Sequence, residues 1–293
     1  MTDLIAQTAT AQAIGARDRQ EDAVVAYSSE DGGPALAILS DGMGGHDDGD
    51  LASRIIVSEM FSEVFIAAAR IGSFCHNAPQ VFQAALKCAN HRLYQHIKAG
   101  RLHKHTGGTL VCATVLQGQL RWLSVGDSCL HVFRRGGLKH LNEKHSVAAQ
   151  LDRMVDDNLI DAKTAQSHPD RHCLTSAVTG NKIPKVDCPD SGYDLQPDDI
   201  VVLASDGLDV LDADEICNLI DQNRTQSSAS IARRLMQAVR AKNAPDQDNS
   251  SVIVIKIQRE EDKQAGNLTK LWQNVGQMAT QARVRANPTR LRT

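Results

Sequence analysis

The sequence predicts an α+β protein in which antiparallel sheets are covered by helices. Apolar stretches with strand character occur in groups, and segments with a helical repeat of apolar residues occur in pairs. A doubly wound parallel sheet would instead alternate strand and helix along the chain. Gln-Gly, Gly-Asp and Gly-Gly turns separate three successive apolar segments, which is typical of an antiparallel meander. The 293 residues are enough to bury a sizeable core.

The first half of the chain is predicted to hold six strands and two helices. Apolar residues recur at helical spacing over residues 50–70. A second helix is predicted from Pro79 to Lys98, because proline is favoured in the first turn of a helix and Gly100 follows its end. The predicted strands are residues 8–16, 22–28, 35–40, 109–116, 120–125 and 129–134.

The second half is predicted to add a polar, exposed helical segment, two strands and a pair of amphipathic helices. These are residues 146–168, 200–204, 213–222, 228–242 and 251–257. We expect one domain over residues 1–257. Residues 258–293 form a predicted tail, helix-prone or partly disordered, with seven basic and three acidic side chains.

Composition excludes several classes of protein. The net charge is −3 and aromatic residues make up 3%, which argues against a nucleic-acid binder. Seven scattered cysteines without a CxxC pair suit reduced thiols in a cytoplasm. The N-terminus lacks the pattern of a signal peptide, and no apolar stretch approaches the ~20 residues that span a bilayer. We therefore expect a cytoplasmic protein that does not span a membrane.

Acidic residues recur where apolar strands begin or end. Asp41 and Asp206 each follow an apolar strand and precede glycine, in ILSDG and VVLASDG. Asp127 and Asp248 also lie next to strands, and Glu21-Asp22 begins one. Each residue taken singly has an ordinary explanation as a turn residue or a cap. Their co-occurrence favours a shared function.

Carboxylates that converge at the edge of a core imply a cation. An ionised carboxylate in that position costs several kcal/mol unless an opposite charge compensates it. A ligand set made only of oxygen atoms selects hard ions such as Mg²⁺ or Mn²⁺. In this interpretation Gly42 allows its own carbonyl group to face the ion that Asp41 binds.

Six motifs in order resemble the metal-dependent protein phosphatases of type 2C, the PPM family, and its bacterial branch in particular. They are GARDRQED at 15–22, DGMGGHDDGDLAS at 41–53, GGTL at 107–110, VGDS at 125–128, SDGL at 205–208 and DNSSVIV at 248–254. The resemblance covers residues 8–257. It implies a four-layer α-β-β-α sandwich, with two antiparallel sheets flanked by helix pairs and a metal cleft at one edge.

The resemblance also implies roles for individual residues around two or three Mn²⁺ or Mg²⁺ ions. Asp41 would bridge two ions, with the carbonyl group of Gly42 on one of them. The remaining implied roles are Asp206 and Asp248 on the other ion, Glu21 and Asp22 orienting metal-bound water, Asp127 with Asp206 on a third ion, and Arg17 binding phosphate.

Some positions depart from the family pattern or keep a second interpretation. Arg17 could be a surface arginine in a polar turn. Gln20 stands where many relatives have asparagine, and the usual Gly-Thr-Thr appears here as Gly107-Gly108-Thr109. Met43 follows the first Asp-Gly, as in the bacterial branch, so the proton donor to the leaving group is unassigned. His46 is expected to shape its loop.

The activity implied is that of a protein-serine/threonine phosphatase in signal transduction. Direct attack by a metal-bridged water would hydrolyse phosphoserine or phosphothreonine, with a serine/threonine kinase or its target as the substrate protein. Two alternatives stay open: a catalytically silent phosphoprotein-binding module, and a hydrolase of small phosphate esters on the same fold. Residues 145–185 resemble the flap of the family, where His168 and Arg171 could meet substrate or simply be solvated.

Overall fold

The computed structural model describes residues 4–29, 32–44 and 48–261, which form two antiparallel sheets and their covering helices. The first sheet has the order β1-β11-β10-β7-β8 and the second β2-β3-β5-β6-β9, with β4 paired to β3. The strands are β1 (Leu4–Ala13), β2 (Asp22–Ser28), β3 (Ala35–Met43), β4 (Gly107–Gly108), β5 (Leu110–Leu116), β6 (Gln119–Val125), β7 (Cys129–Arg134), β8 (Gly137–His140), β9 (Tyr193–Asp194), β10 (Ile200–Ala204) and β11 (Ser250–Arg259).

Six α-helices and a 3₁₀ turn complete the described fold. The turn, Asp206–Leu208, follows β10 after one residue, Ser205. The helices are α1 (Gly49–Ala68), α2 (Ile71–Lys98), α3 (Val147–Asp156), α4 (Ala162–Gln166), α5 (Ala213–Asn223) and α6 (Ser228–Lys242). No helix within the described ranges is both long and apolar enough to cross a membrane.

Three apolar layers hold four layers of secondary structure together. One layer lies between α1, α2 and the second sheet, one between the two sheets, and one between the first sheet and α5 and α6. Leu36 and Ile38 of β3 face the helices, whereas Ala37 and Leu39 face the other sheet. This two-residue alternation requires β3 to be apolar on both faces. The predicted α-β-β-α sandwich is confirmed.

Most boundaries agree with prediction, and the differences have local causes. β1 ends at Ala13, not at residue 16, because the chain turns at Gly15 with φ +66°. α2 begins at Ile71, eight residues before the predicted start, and is broken at Asn77 (φ −124°, ψ 19°). Pro79 therefore stands in the first turn after the break, where its missing N–H is tolerated. The predicted helical segment 146–168 is two helices, α3 and α4.

Three short strands were not predicted. β4 consists of two glycines, and β8 and β9 are short segments without an apolar repeat. They exist because longer neighbouring strands pair with them. The closing strand β11 runs to Arg259, two residues beyond the predicted domain end. The tail from residue 262 onward lies outside the described residues, so its helical character stays a prediction.

Candidate metal centre

The predicted acidic residues come together where the two sheets open at one edge. Asp41 lies near the end of β3 and Asp206 two residues after the end of β10, so each sheet supplies one of the two Asp-Gly motifs. Side chains alternate between the two faces of β3, so Asp41 points to the same side as Leu39, toward the space between the sheets. The carboxylates border a cavity of about 710 Å³. Its lining includes Arg17, Glu21, Asp41, Gly42, Asp127, Asp206 and Asp248.

Asp22 is the one predicted acidic residue that does not line this cavity. It is 6% exposed and pairs directly with Asp41 across strands β2 and β3. Its Oδ2 accepts a hydrogen bond from Ser205 Oγ at 2.8 Å. Like charges directly opposite each other on adjacent strands destabilise a sheet, so this pair needs a compensating charge.

Burial and mutual repulsion raise the pKa values of the clustered carboxyl groups. Burial raises the pKa of Asp22 and of Asp127 to about 6, with smaller contributions from neighbouring aspartates that include Asp206. Burial and then Asp22 hold the pKa of Asp41 well above its ordinary range. Burial and then Asp248 raise the pKa of Asp206, against which a hydrogen bond with Asp41 acts. Such shifts are typical of a site built for a cation.

Unsatisfied oxygen atoms in the cluster fit hard metal ions. In the part of the chain that the structure describes, Oδ1 of Asp22 and Oδ1 of Asp206 are buried and accept no hydrogen bond. A buried acceptor left without a partner costs about 1–3 kcal/mol, and more when it is charged. Asp206 and its neighbours Asp41, Asp127 and Asp248 border one cavity, where hard cations would satisfy such atoms.

Gly42 is required by close approach of the backbone. A Cβ there would collide with the carbonyl oxygen of Gly49 and lie 2.6 Å from that of Glu21. The Gly42 N–H donates to the Glu21 carbonyl at 3.1 Å, which joins the first two acidic motifs. Gly207 has the same role beside Asp206, since a Cβ would meet the carbonyl oxygen of Asn249. Any side chain at either glycine would displace the adjacent aspartate.

Two polar residues that sequence reasoning did not single out organise the site. Asn249 is 5% exposed, donates to the carbonyl groups of Ile14 and Arg19 at 2.8 Å each, and accepts from Glu21 N at 2.7 Å. Asn249 thereby anchors the loop that carries Arg17 and Glu21. Its position beside Asp248 in the DNSSVIV motif was the signal that could have revealed it.

Thr109 fixes the backbone of Asp41. Its hydroxyl accepts from Asp41 N at 3.0 Å, and its own N–H donates to the Asp41 carbonyl at 2.8 Å. The hydroxyl also contacts Ser128 Oγ at 2.8 Å, next to Asp127. The family pattern Gly-Thr-Thr is replaced here by Gly107-Gly108-Thr109. Its second threonine, the one that contacts Asp41, is therefore retained as Thr109.

Arg17 lies at the mouth of the cavity, where it pairs with Asp248. Its Nη2 donates to Asp248 Oδ2 at 2.6 Å, and the guanidinium-bearing side chain is 55% exposed. An exposed, charged donor at this position is available to an anion that enters the cavity. The predicted phosphate-binding role of Arg17 stays a prediction.

The predicted flap contributes the opposite wall. Residues 172–177, with Thr179, Lys182 and Pro184, line the cavity. His172 lines the cavity. His168, which the sequence suggested could meet substrate or be solvated, lies outside that lining. Arg171 lines an adjacent cavity of about 630 Å³ and is held by Asp152 at 2.9 Å. Met43 also borders the main cavity, and His46 lies outside the described residues.

Comparison with known proteins places the chain in a family. The family model of protein phosphatase 2C matches residues 11–248. Protein phosphatase PhpP of Streptococcus pneumoniae is 25% identical over 254 residues, which cover 84% of this chain and 94% of PhpP. The crystal structure of the Mycobacterium tuberculosis serine/threonine phosphatase PstP/Ppp has a TM-score of 0.71 at 23% identity, covering 87% of this chain and all of that one.

A further solved structure, the catalytic domain of PstP in complex with two manganese ions, has a TM-score of 0.69 at 22% identity and covers 87% of this chain and 99% of its own. The fold, the acidic cleft and the family match together define the class: the chain belongs to the protein phosphatase 2C family. It is accordingly a hydrolase, a protein-serine/threonine phosphatase. The predicted family, fold and enzyme class are confirmed.

Proposed function

We propose that the acidic cleft hydrolyses phosphoserine and phosphothreonine on proteins with two Mn²⁺ or Mg²⁺ ions, and a third more weakly held. The observation that carries this proposal is the cluster of buried, mutually repelling carboxylates with unsatisfied oxygen atoms at the open edge of both sheets. The manganese ions of PstP support the choice of metal.

The chain's own residues divide the work by position. We assign Asp41 to both ions of the pair, Gly42 to one through its carbonyl group, and Asp206 with Asp248 to the other. Asp127, beside Asp206 in the cavity, is assigned with it to the third ion. Glu21, in the cavity lining, and Asp22, behind it, would orient metal-bound water. When bound, the cations lower the pKa of a coordinated water and neutralise the phosphate charge.

Arg17 is proposed to hold the substrate phosphate. Its guanidinium is an exposed cation in the cavity lining, and it can exchange its contact with Asp248 for two phosphate oxygens once cations neutralise that carboxylate. His172 and Lys182 on the flap wall face the same cavity and are placed to contact the substrate protein.

Removal of single carboxylates tests the metal assignment. We expect Asp41→Asn and Asp206→Asn to lose Mn²⁺-stimulated hydrolysis of p-nitrophenyl phosphate by more than about 100-fold, because even second-shell changes around a metal cost about 10–100-fold. Asp221→Asn, at a partly exposed aspartate on α5 that pairs with Arg224, is the control outside the cleft and should retain full activity. Normal activity in either cleft variant, with circular dichroism unchanged, would remove the assignment.

A panel of substrates separates the alternative functions. Phosphopeptides should be hydrolysed with a higher kcat/KM than small phosphate metabolites, and chelator should abolish both rates. Binding of phosphopeptide without turnover at any metal concentration would instead indicate the silent binding module. Preference for metabolites would indicate the small-ester hydrolase.

The cellular role is proposed at the level of chemistry. We propose a cytoplasmic signalling function, with a serine/threonine kinase or its target as the substrate protein; the class of enzyme supports this proposal. Incubation with an autophosphorylated kinase of the same cell should release phosphate from the kinase or its target, and Asp41→Asn should not. Fractionation of cells tests the cytoplasmic location.

A further inference from the structure

A second cluster of metal-ligand side chains lies outside the acidic cleft. Among the described residues, three ligand-type side chains come within 4.8 Å of one another at one place: Cys129, His131 and His140. Cys129 and His131 alternate along β7, so they share one face of the first sheet. His140 on β8 pairs directly with His131, which brings its ring to the same face.

One distance within the cluster matches that between two ligands of a tetrahedral ion, and all three ligand atoms lie within 4.8 Å of one another. His140 Nδ1 lies 3.2 Å from His131 Nε2. Two nitrogen ligands of tetrahedral zinc lie about 3.3 Å apart, as follows from Zn–N bonds of ~2.0–2.1 Å. Cys129 Sγ lies 3.9 Å from Oδ1 of Asp209, close to the ~3.5 Å expected between sulfur and oxygen ligands.

The two facing ring nitrogens, His131 Nε2 and His140 Nδ1, are the atoms close enough to share one ion. His131 Nδ1 is the other ring nitrogen; it is buried and has no hydrogen-bond partner within the described ranges, and an ion held by Nε2 would not change that. Burial lowers the pKa of His131 to about 3, and burial also lowers the pKa of His140. Both rings are thus neutral at pH 7, the form that binds metals.

Charge around the cluster is compatible with a dication. Coordination to a metal deprotonates a cysteine thiol outright, and the Lys144 ammonium lies within hydrogen-bond reach of the Cys129 sulfur. The thiolate and the Asp209 carboxylate would then neutralise two positive charges. Lys144 also faces the group, and its Nζ donates to Asp209 Oδ2 at 2.9 Å, which leaves Oδ1 directed at Cys129. A partner of this kind orients a carboxylate ligand.

We propose that Cys129, His131 and His140 bind a tetrahedral Zn²⁺ ion, distinct from the hard-ion centre, and that the Asp209 carboxylate beside Cys129 completes the ligand set. Sulfur and imidazole ligands select zinc over Mg²⁺ or Mn²⁺. The site joins β7 and the edge strand β8 to the turn after β10. Cys129 follows Asp127 by two residues and Asp209 follows Asp206 by three, so zinc fixes two segments that carry carboxylates of the cleft.

Cobalt spectroscopy on the full chain tests this site without any activity measurement. Protein freed of metal by chelator is titrated with Co²⁺. The wild type should show near-ultraviolet thiolate-to-cobalt charge transfer and the intense visible bands of tetrahedral Co²⁺, and Zn²⁺ should displace both. An oxygen-ligated ion in the cleft gives neither signal, so Asp41→Asn should leave the spectrum unchanged.

Matched variants locate the ligands. Cys129→Ser should abolish the charge-transfer absorption, whereas Cys217→Ser, a half-buried cysteine on α5, should retain it. His140→Gln on the exposed edge strand should weaken Co²⁺ binding by about 100-fold or more, and His91→Gln on the surface of α2 should not. Absence of charge transfer in the wild type, its persistence in Cys129→Ser, or unchanged affinity in His140→Gln would each overturn the site. His140→Gln decides the question if Cys129→Ser does not fold.

Discussion

Replacing Asp22 by asparagine should stabilise the metal-free protein at neutral pH. Burial raises the pKa of this carboxyl group from 3.8 to about 6. An acid whose pKa is higher in the folded state binds its proton more tightly there. The stability that this tighter proton binding contributes is therefore fully present below the pKa of the unfolded state, near 4. It is lost as the pH rises through the pKa of the folded state, about 6. Above that, the ionised carboxylate opposes folding by up to ~3 kcal/mol, from ~1.4 kcal/mol per pKa unit.

The expected gain for Asp22→Asn at pH 7.5 in chelator is about 1–3 kcal/mol in the free energy of unfolding. Asparagine keeps an acceptor for Ser205 Oγ and removes one of the charges that raise the pKa of Asp41. The gain should largely vanish at pH 4.5, where the wild-type carboxyl group is protonated in the folded state. Urea denaturation at the two pH values measures it.

Metal should reverse the order of stability. Ions that bind only the folded protein stabilise it by RT ln(1 + [L]/Kd), about 2.7 kcal/mol at a hundredfold excess over Kd. The wild type should gain more from Mn²⁺ than Asp22→Asn, because the carboxylate that repels its neighbours also attracts the ions. Asp221→Asn controls for an exposed charge. The reasoning is refuted if Asp22→Asn is less stable than the wild type in chelator at pH 7.5, or if its effect is the same at both pH values.

Three further predictions concern the walls of the cleft. Asn249→Ala should lower the free energy of unfolding by about 2–4 kcal/mol, because it breaks three hydrogen bonds of 2.7–2.8 Å. The control Asn223→Ala breaks one hydrogen bond and should lower it by about 0.5–1.5 kcal/mol. Equal urea midpoints for the two variants would contradict this. Arg17→Lys should lower kcat/KM on phosphopeptides by about 10- to 100-fold through the lost bidentate contact, with unfolding unchanged, and a wild-type value would argue for the surface-arginine interpretation. Cys173→Ser, at the cavity wall, should retain turnover, because no covalent phosphoenzyme is expected; inactivity together with a trapped phosphocysteine in the wild type would refute the metal mechanism.

The sequence by itself determined the layered fold and the acidic motifs. Strands such as Ile200–Ala204 are continuous apolar stretches because they are buried on both faces, and that property is visible without coordinates. The Asp-Gly pairs at Asp41 and Asp206 were recognisable because glycine is needed next to them for close approach of the backbone. Local periodicity and turn chemistry carry information of this kind.

Only the tertiary structure decided which of these residues share a cavity and which lie behind it. Glu21 lines the cleft, whereas its neighbour Asp22, the first residue of β2, is buried against Ser205. The cluster of Cys129 with His131 and His140 depends on β8, a strand without an apolar repeat that exists through pairing with β7. Contacts between residues distant in the chain follow from strand register, and no local pattern in the sequence encodes that register.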